Sequence, residues 1–172
     1  GYGWGKRVAE LQAKYYHDEY DMDLAIVRPF NIYGPRYKWR GSQNSHVIPA
    51  IVKRVMDGED PLTIWGSGDQ RRNFLHARDA AELIITIAEN YAEGDPVNLG
   101  FESETTITEL VTTICEVAGK DPEFVYDESK PEGAFRKGAD STKLKEVTGD
   151  FKPRIPLTEG MADMIEWYHS EF

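Results

Sequence analysis

A chain of 172 residues, 40% hydrophobic, 12% aromatic and 29% charged, is long enough for one domain with a real core and has an ordinary soluble globular composition. Its formal net charge of −10 repels nucleic-acid phosphate, so a DNA or RNA binder is not expected, and no apolar run is long enough to span a bilayer. The one cysteine, Cys115, allows no intrachain disulfide framework, and Gly1 to Arg7 do not read as a signal peptide, so the cytoplasm is the expected compartment.

Lys6 to Tyr20 predicts a helix with Val8, Leu11 and Tyr15 on one side. Leu24 to Arg28, between Asp23 and Pro29, predicts a strand buried on both faces, as in a parallel sheet. The polar stretch from Asn31 to Ser45 predicts a loop of a length that is uncommon without a function. Val47 to Met56 predicts a helix with Pro49 in its first turn, closed by Gly58. Leu62 to Trp65 predicts a strand, Gly66 to Asp69 a turn, and Asn73 to His76 a second strand. Asp79 is expected to cap a helix from Ala80 to Tyr91. Val97 to Leu99 follows as a strand, and Thr106 caps a helix from Ile107 to Ala118 that stops at Gly119. Phe124 to Tyr126 predicts a strand, Ser141 to Val147 a short helix ended by Gly149, and Thr158 to Trp167 the last helix. Alternation of this kind argues an α/β fold.

Tyr2 and Lys6 are four residues apart, so a helix puts them on one face. A phenol titrates near ~10, and a nearby ammonium favours the phenolate. Such a pair can exchange a proton with a sugar hydroxyl while hydride moves to or from a nicotinamide. Tyr-x-x-x-Lys alone is common by chance, and a surface Tyr and Lys at a helix start is the plainer reading. Gly1, Gly3 and Gly5 are not read as a phosphate-binding turn, because no strand precedes them. The chain therefore reads as the second half of a nucleotide-binding fold. Cys115 reads as core, His76 as structural, and His17 and His169 as exposed. No cluster has metal-ligand spacing, so no metal is expected. Trp65 and Trp167 read first as core, and Trp39 as a ligand contact in the long loop.

Four further segments carry a resemblance. They are Arg28-Pro29-Phe30-Asn31-Ile32-Tyr33-Gly34-Pro35, Asn44-Ser45-His46-Val47-Ile48-Pro49-Ala50, Trp65-Gly66-Ser67-Gly68 with Arg72-Asn73-Phe74-Leu75-His76, and Ser129-Lys130-Pro131-Glu132-Gly133 with Arg136-Lys137 and Asp140. In order and spacing they resemble the extended short-chain dehydrogenase/reductase family of nucleotide-sugar epimerases and dehydratases. The second and fourth segments look most like its GDP-fucose-forming branch. The resemblance spans Tyr2 to about Tyr168.

It implies the C-terminal portion of a Rossmann-type fold with the smaller substrate-binding domain, without the N-terminal cofactor half. Residues 1–30 would be the remnant of the dinucleotide-binding domain, and 31–172 the nucleotide-sugar-binding region, with 70–98 returning to the Rossmann part. Tyr2 would be the catalytic acid/base, Lys6 its partner on the cofactor ribose, and His46 the acid of the epimerisation steps. Pro29 and Asn31 would line the cofactor, NADP or NAD, with Asn31 also on the sugar. Arg54, Trp65, Arg72, Arg136 and Lys137 would surround the substrate. Forked guanidinium donors suit a diphosphate, which agrees in kind.

The implied reaction is 3,5-epimerisation and 4-reduction of GDP-4-keto-6-deoxy-mannose, with a GDP-sugar the favoured partner. The alternatives are an NAD-dependent 4-epimerase or 3,5-epimerase on UDP- or GDP-sugars, and a non-catalytic sugar-nucleotide binding domain. A Gly-rich cofactor turn and the serine of the catalytic trio are not in the chain, so it is expected to be inactive by itself. The family pairs its Tyr-bearing helix with a second subunit, which implies a homodimer.

Overall fold

The computed structural model describes residues 1–37, 46–130 and 133–172. Its elements in chain order are α1 (Tyr2–Tyr20), β1 (Val27–Pro29), β2 (Ile32–Tyr33), α2 (Val47–Met56), β3 (Leu62–Trp65), β4 (Arg71–Arg72), β5 (Leu75–His76) and α3 (Ala77–Asn90). After these come β6 (Val97–Leu99), β7 (Thr105–Thr106), α4 (Ile107–Ala118), β8 (Phe124–Asp127), β9 (Arg136–Lys137), α5 (Thr142–Thr148) and α6 (Leu157–Glu171). Three parallel pairs carry the α/β architecture: β1 with β6, β2 with β5, and β3 with β8. Each joins strands far apart in the chain, as crossover connections require.

Two clusters of apolar side chains follow from this pairing. In one, Ile48, Val52 and Val55 of α2 meet Leu62 and Ile64 of β3, Leu110 and Ile114 of α4, and Met161 and Met164 of α6. The helical residues recur every three or four positions, so each helix offers one stripe. In the other, Leu83 and Ile87 of α3 pack with Val97 and Leu99 of β6, Leu75 of β5 and Leu144 of α5. Cys115 is buried, as expected for a core thiol, and burial pushes its pKa up.

Helix α4 starts where its sequence says. Thr106 Oγ1 accepts from the Glu109 N–H at 3.0 Å, and the Glu109 carboxylate accepts from the Thr106 N–H at 2.7 Å. This reciprocal arrangement satisfies two orphan donors.

Helix α3 departs from expectation. It begins at Ala77 rather than Ala80, and its cap is His76, whose Nδ1 accepts from the Arg78 N–H at 3.3 Å. Asp79 lies inside the first turn, buried, and accepts instead from the Arg154 and Ile155 N–H groups at 3.2 and 3.1 Å. A carboxylate that tertiary contact engages is not available as a cap.

The strand read as Leu24 to Arg28 is shorter and later, and only half-buried. Leu24 makes just an isolated bridge to Glu93. Helix α1 buries no residue at all. Val8, Leu11 and Tyr15 are exposed, and a forked ion pair ties the helix to β1: Arg28 Nε and Nη2 donate to Glu10 Oε1 and Oε2 at 2.6 and 2.7 Å.

Candidate nucleotide-sugar site

A cavity of about 770 Å³ opens between α2, β3 and α4. Ala50 and Ile51 of α2, Leu62 and Ile64 of β3, and Ile107 and Val111 of α4 give it apolar walls, and Arg54, Arg72, Lys130, Glu59, Asp127 and Gln70 bring polar groups to it. Apolar lining with a few convergent polar groups is the usual character of a small-molecule site.

Arg54 sits in the last turn of α2, on the stripe flank beside buried Val55. Its Nε donates to Glu59 Oε2 at 2.6 Å, and its Nη2 donates to Glu59 Oε1 and, at 2.6 Å, to the Thr63 carbonyl. Trp65 ends β3, is 47% exposed and lines the cavity. It was read first as core, but the strand alternates buried Leu62 and Ile64 with outward Thr63 and Trp65, so period two turns the ring out. The Lys130 ammonium lies 6.0 Å from the Trp65 ring centroid.

Arg72 follows the glycine turn on β4, and burial lowers its pKa. Its Nη1 donates to the Arg71 and Phe135 carbonyls at 2.8 and 3.3 Å. Asn73, next to it, is buried and spans two segments: Oδ1 accepts from the Phe101 N–H at 3.0 Å, and Nδ2 donates to the Ser103 carbonyl at 2.6 Å.

Strand pairing accounts for the basic loop. Strand β9 runs parallel to β4, with Arg71 opposite Arg136 and Arg72 opposite Lys137. The register puts Lys137 beside Arg72. Arg136 points its Nε at both Glu104 carboxylate oxygens, 2.8 Å from each, and neither Arg136 nor Lys137 lines the cavity.

His46 caps α2 at its other end, with its ring 5.6 Å from that of Tyr37. It borders a second, smaller hollow together with Asn31 and Phe74. Asn31 holds a positive φ of 42°, and its Nδ2 donates to the Asn73 carbonyl at 2.8 Å. Val47 lines both hollows, so the two adjoin at the start of α2. Pro29 ends β1, exposed.

Tyr2 and Lys6 occupy successive turns of α1, with the ammonium 5.5 Å from the phenol ring centroid. Tyr2 is 83% exposed and lines neither hollow. The residues proposed for a nicotinamide cofactor, Tyr2, Lys6, Pro29 and Asn31, are all exposed. His76 is buried, and burial lowers its pKa, which suits the structural reading. Trp39 lies outside the described residues. No group of His, Cys, Asp and Glu among them has the form of a metal site, and no helix among them is long and apolar enough to cross a membrane.

Glu59, Gln70, Asp127 and Lys130 line the cavity without having been singled out as site residues in the sequence. Glu59 could have been found from the charge five residues after Arg54. Asp127 and Lys130 come in through the β3–β8 register, Trp65 opposite Asp127, which no local pattern announces.

A probable GDP-L-fucose synthase 1 of Oryza sativa subsp. japonica is 36% identical over 157 residues, 89% of this chain and 47% of that protein. A GDP-L-colitose synthase of Yersinia pseudotuberculosis is 32% identical over 99% of this chain and 56% of its own length. The chain thus spans about half the length of the curated relatives it matches. A UDP-glucose 4-epimerase from Thermotoga maritima, solved with UDP-glucose, superposes with a TM-score of 0.87 at 26% identity over 99% of this chain and 53% of that one. A UDP-N-acetylglucosamine 4-epimerase from Methanobrevibacter ruminantium M1 gives 0.84 at 29% identity, over 97% and 53%. The model of the NAD dependent epimerase/dehydratase family matches residues 1–100, and the chain belongs to that family, the nicotinamide-dependent enzymes of the extended short-chain dehydrogenase/reductase type.

Proposed function

We propose that this chain supplies the nucleotide-sugar site of an NAD(P)-dependent epimerase/reductase acting on a GDP-sugar, with GDP-4-keto-6-deoxy-mannose the favoured substrate. The observation that carries the reading is the pair of adjoining hollows along α2, sharing Val47. From His46 to Arg54 is eight residues, ~12 Å at the helical rise, a distance suited to separate the sugar from the nucleoside. The nucleotide then lies by Arg54, Trp65 and Arg72, with Arg136 and Lys137 on the β4–β9 rim, and the sugar by His46 and Asn31. The GDP-L-fucose and GDP-L-colitose synthases among the relatives support the choice of base. Residues 31–172 make up this region, with 70–98 closing back on the Rossmann part that 1–30 begins.

Tyr2 would give or take a proton at the sugar oxygen through its Oη, and Lys6 would hold its charge beside that phenol and the cofactor ribose. Pro29 and Asn31 would bound the nicotinamide, whose contribution when bound is hydride transfer. His46 would deliver a proton to carbon during epimerisation, a task that suits imidazole near neutral pH. Among the described residues no strand runs through a glycine-rich turn into a helix in the way a dinucleotide site requires. The chain alone should therefore bind nucleotide sugar without turning it over, and reduction of GDP-4-keto-6-deoxy-mannose by the purified chain with NADPH would contradict this. The working form is proposed to be a homodimer, in the cytoplasm.

Calorimetry of GDP-, UDP- and dTDP-sugars against the chain tests the site. Binding that prefers GDP supports the proposal, and binding of none overturns it. Preference for UDP would favour a second reading, an epimerase on UDP-sugars with NAD, which the fold match to the Thermotoga maritima enzyme supports. A chain that binds sugar nucleotides and shows no redox chemistry even within its longest natural form would be a non-catalytic binding domain.

A further inference from the structure

We propose that Glu59 is a positioning residue that fixes Arg54 as a one-nitrogen donor to an uncharged carbonyl oxygen of the nucleobase, and so withholds it from the diphosphate. This rests on the reading of the cavity as a nucleotide site. Arginine has five N–H donors in a rigid fork. In this chain three are committed: Nε to Glu59 Oε2, and Nη2 to Glu59 Oε1 and the Thr63 carbonyl. Glu59 Oε1 also accepts from the Thr63 N–H at 3.2 Å, so the carboxylate is itself fastened to β3. Only the two N–H groups of Nη1 are left without an acceptor among the described residues.

The pair is half sheltered, with side chains 25% and 35% exposed, and both residues line the cavity. Inside such a wall the carboxylate cancels most of the guanidinium's attraction for an anion, and a phosphate brought to Nη1 also meets the Glu59 charge. The usual strength of arginine toward phosphate is the two-nitrogen fork, and here that fork is already closed on Glu59. What remains is a directed donor with little net charge. Its natural complement is a neutral acceptor, the carbonyl oxygen that guanine or uracil carries at its edge.

The test uses the full chain with three ligands, GDP, UDP and inorganic pyrophosphate, and the variants Arg54→Met, Glu59→Gln and both together. Arg54→Met is expected to weaken GDP about tenfold and to leave pyrophosphate within about twofold, the size of one directed hydrogen bond in a sheltered site. Glu59→Gln, which reopens the fork, is expected to tighten pyrophosphate at least about threefold while weakening GDP. In the Arg54→Met background Glu59→Gln should no longer weaken GDP, a coupling that a merely structural role would not produce.

Equal losses of GDP and pyrophosphate on Arg54→Met overturn the assignment, as does unchanged or weaker pyrophosphate binding on Glu59→Gln. A parent chain that binds pyrophosphate but no nucleotide overturns the nucleotide reading, and this assignment with it. Should a variant not fold, the parent still answers through its arginine Nε–H resonances. GDP should shift the Arg54 signal and pyrophosphate should not, and the reverse order overturns the proposal.

Discussion

Gly68 shows how one residue shapes the turn after β3. It holds φ at +79°, in the left-handed region, and a methyl group there would meet Thr108 Oγ1 and the Tyr126 ring. The Gly68 carbonyl accepts from the Thr108 N–H at 3.0 Å, so the turn after β3 is seated on the first turn of α4. Gly68→Ala combines an unfavourable backbone with a clash and should cost about 2 kcal/mol, measured by urea unfolding. Asn73→Ala should cost about 2–4 kcal/mol by leaving the Phe101 N–H and Ser103 carbonyl without partners. It should also weaken nucleotide binding, because Arg72 is its neighbour. Unchanged affinity in a folded Asn73→Ala chain would separate Asn73 from the site. At this scale the sequence was a fair guide to residue types and a poor one to partners. Arg54, Trp65 and Arg72 were legible as ligand candidates and do share one cavity. That Arg54 would be closed on Glu59, and that Trp65 would face out, depend on contacts and strand phase that no residue spells out alone.

Among the elements, those with a strong local rule were legible to the residue. Helix α4 has a capping box at Thr106 and a left-handed Gly119 at its end, and α2 a clean apolar stripe. Thr106→Ala should destabilise the chain by about 1 kcal/mol. The two-residue strands β4 and β9 were illegible, because Arg and Lys in so short a ladder have no period to read, and they pair through tertiary contact. Helix α1 was legible as a helix yet not as an unburied one. Its tie to β1 gives a pH prediction. Hydrogen bonds from Arg28 above all, then Arg7, hold the Glu10 carboxyl down at about 2, against an ordinary 4.5. A depressed carboxylate contributes stability that is present above its ordinary pKa and is lost as pH falls toward the folded value. Docking of α1 should therefore loosen between pH 4.5 and about 2, seen as faster amide exchange at its middle turns while α4 stays protected. Glu10→Gln should show that exchange already at pH 7. Protection of α1 that does not change with pH would remove Glu10 from this role.

For the whole molecule, the net charge of −10 and the local cations make opposing demands on an anionic ligand. If a phosphate binds in the proposed site, Arg72 and Lys130, which line the cavity, would act on it within a few ångströms, a range that salt screens little in a partly enclosed cavity. The protein's overall field acts over distances comparable with the Debye length, ~10 Å at 0.1 M and ~30 Å at 0.01 M. At low salt an approaching GDP therefore meets net repulsion before it reaches the cations. Raising the ionic strength removes the far repulsion first. The association rate for GDP, followed by stopped-flow quenching of tryptophan fluorescence through Trp65 at the cavity wall, should rise between 0.01 and 0.15 M salt. The dissociation rate should change less. A rate that falls steeply with salt over that range would mean that the cation cluster steers the ligand from far away, and that the acidic surface is turned from the cavity rather than surrounding it.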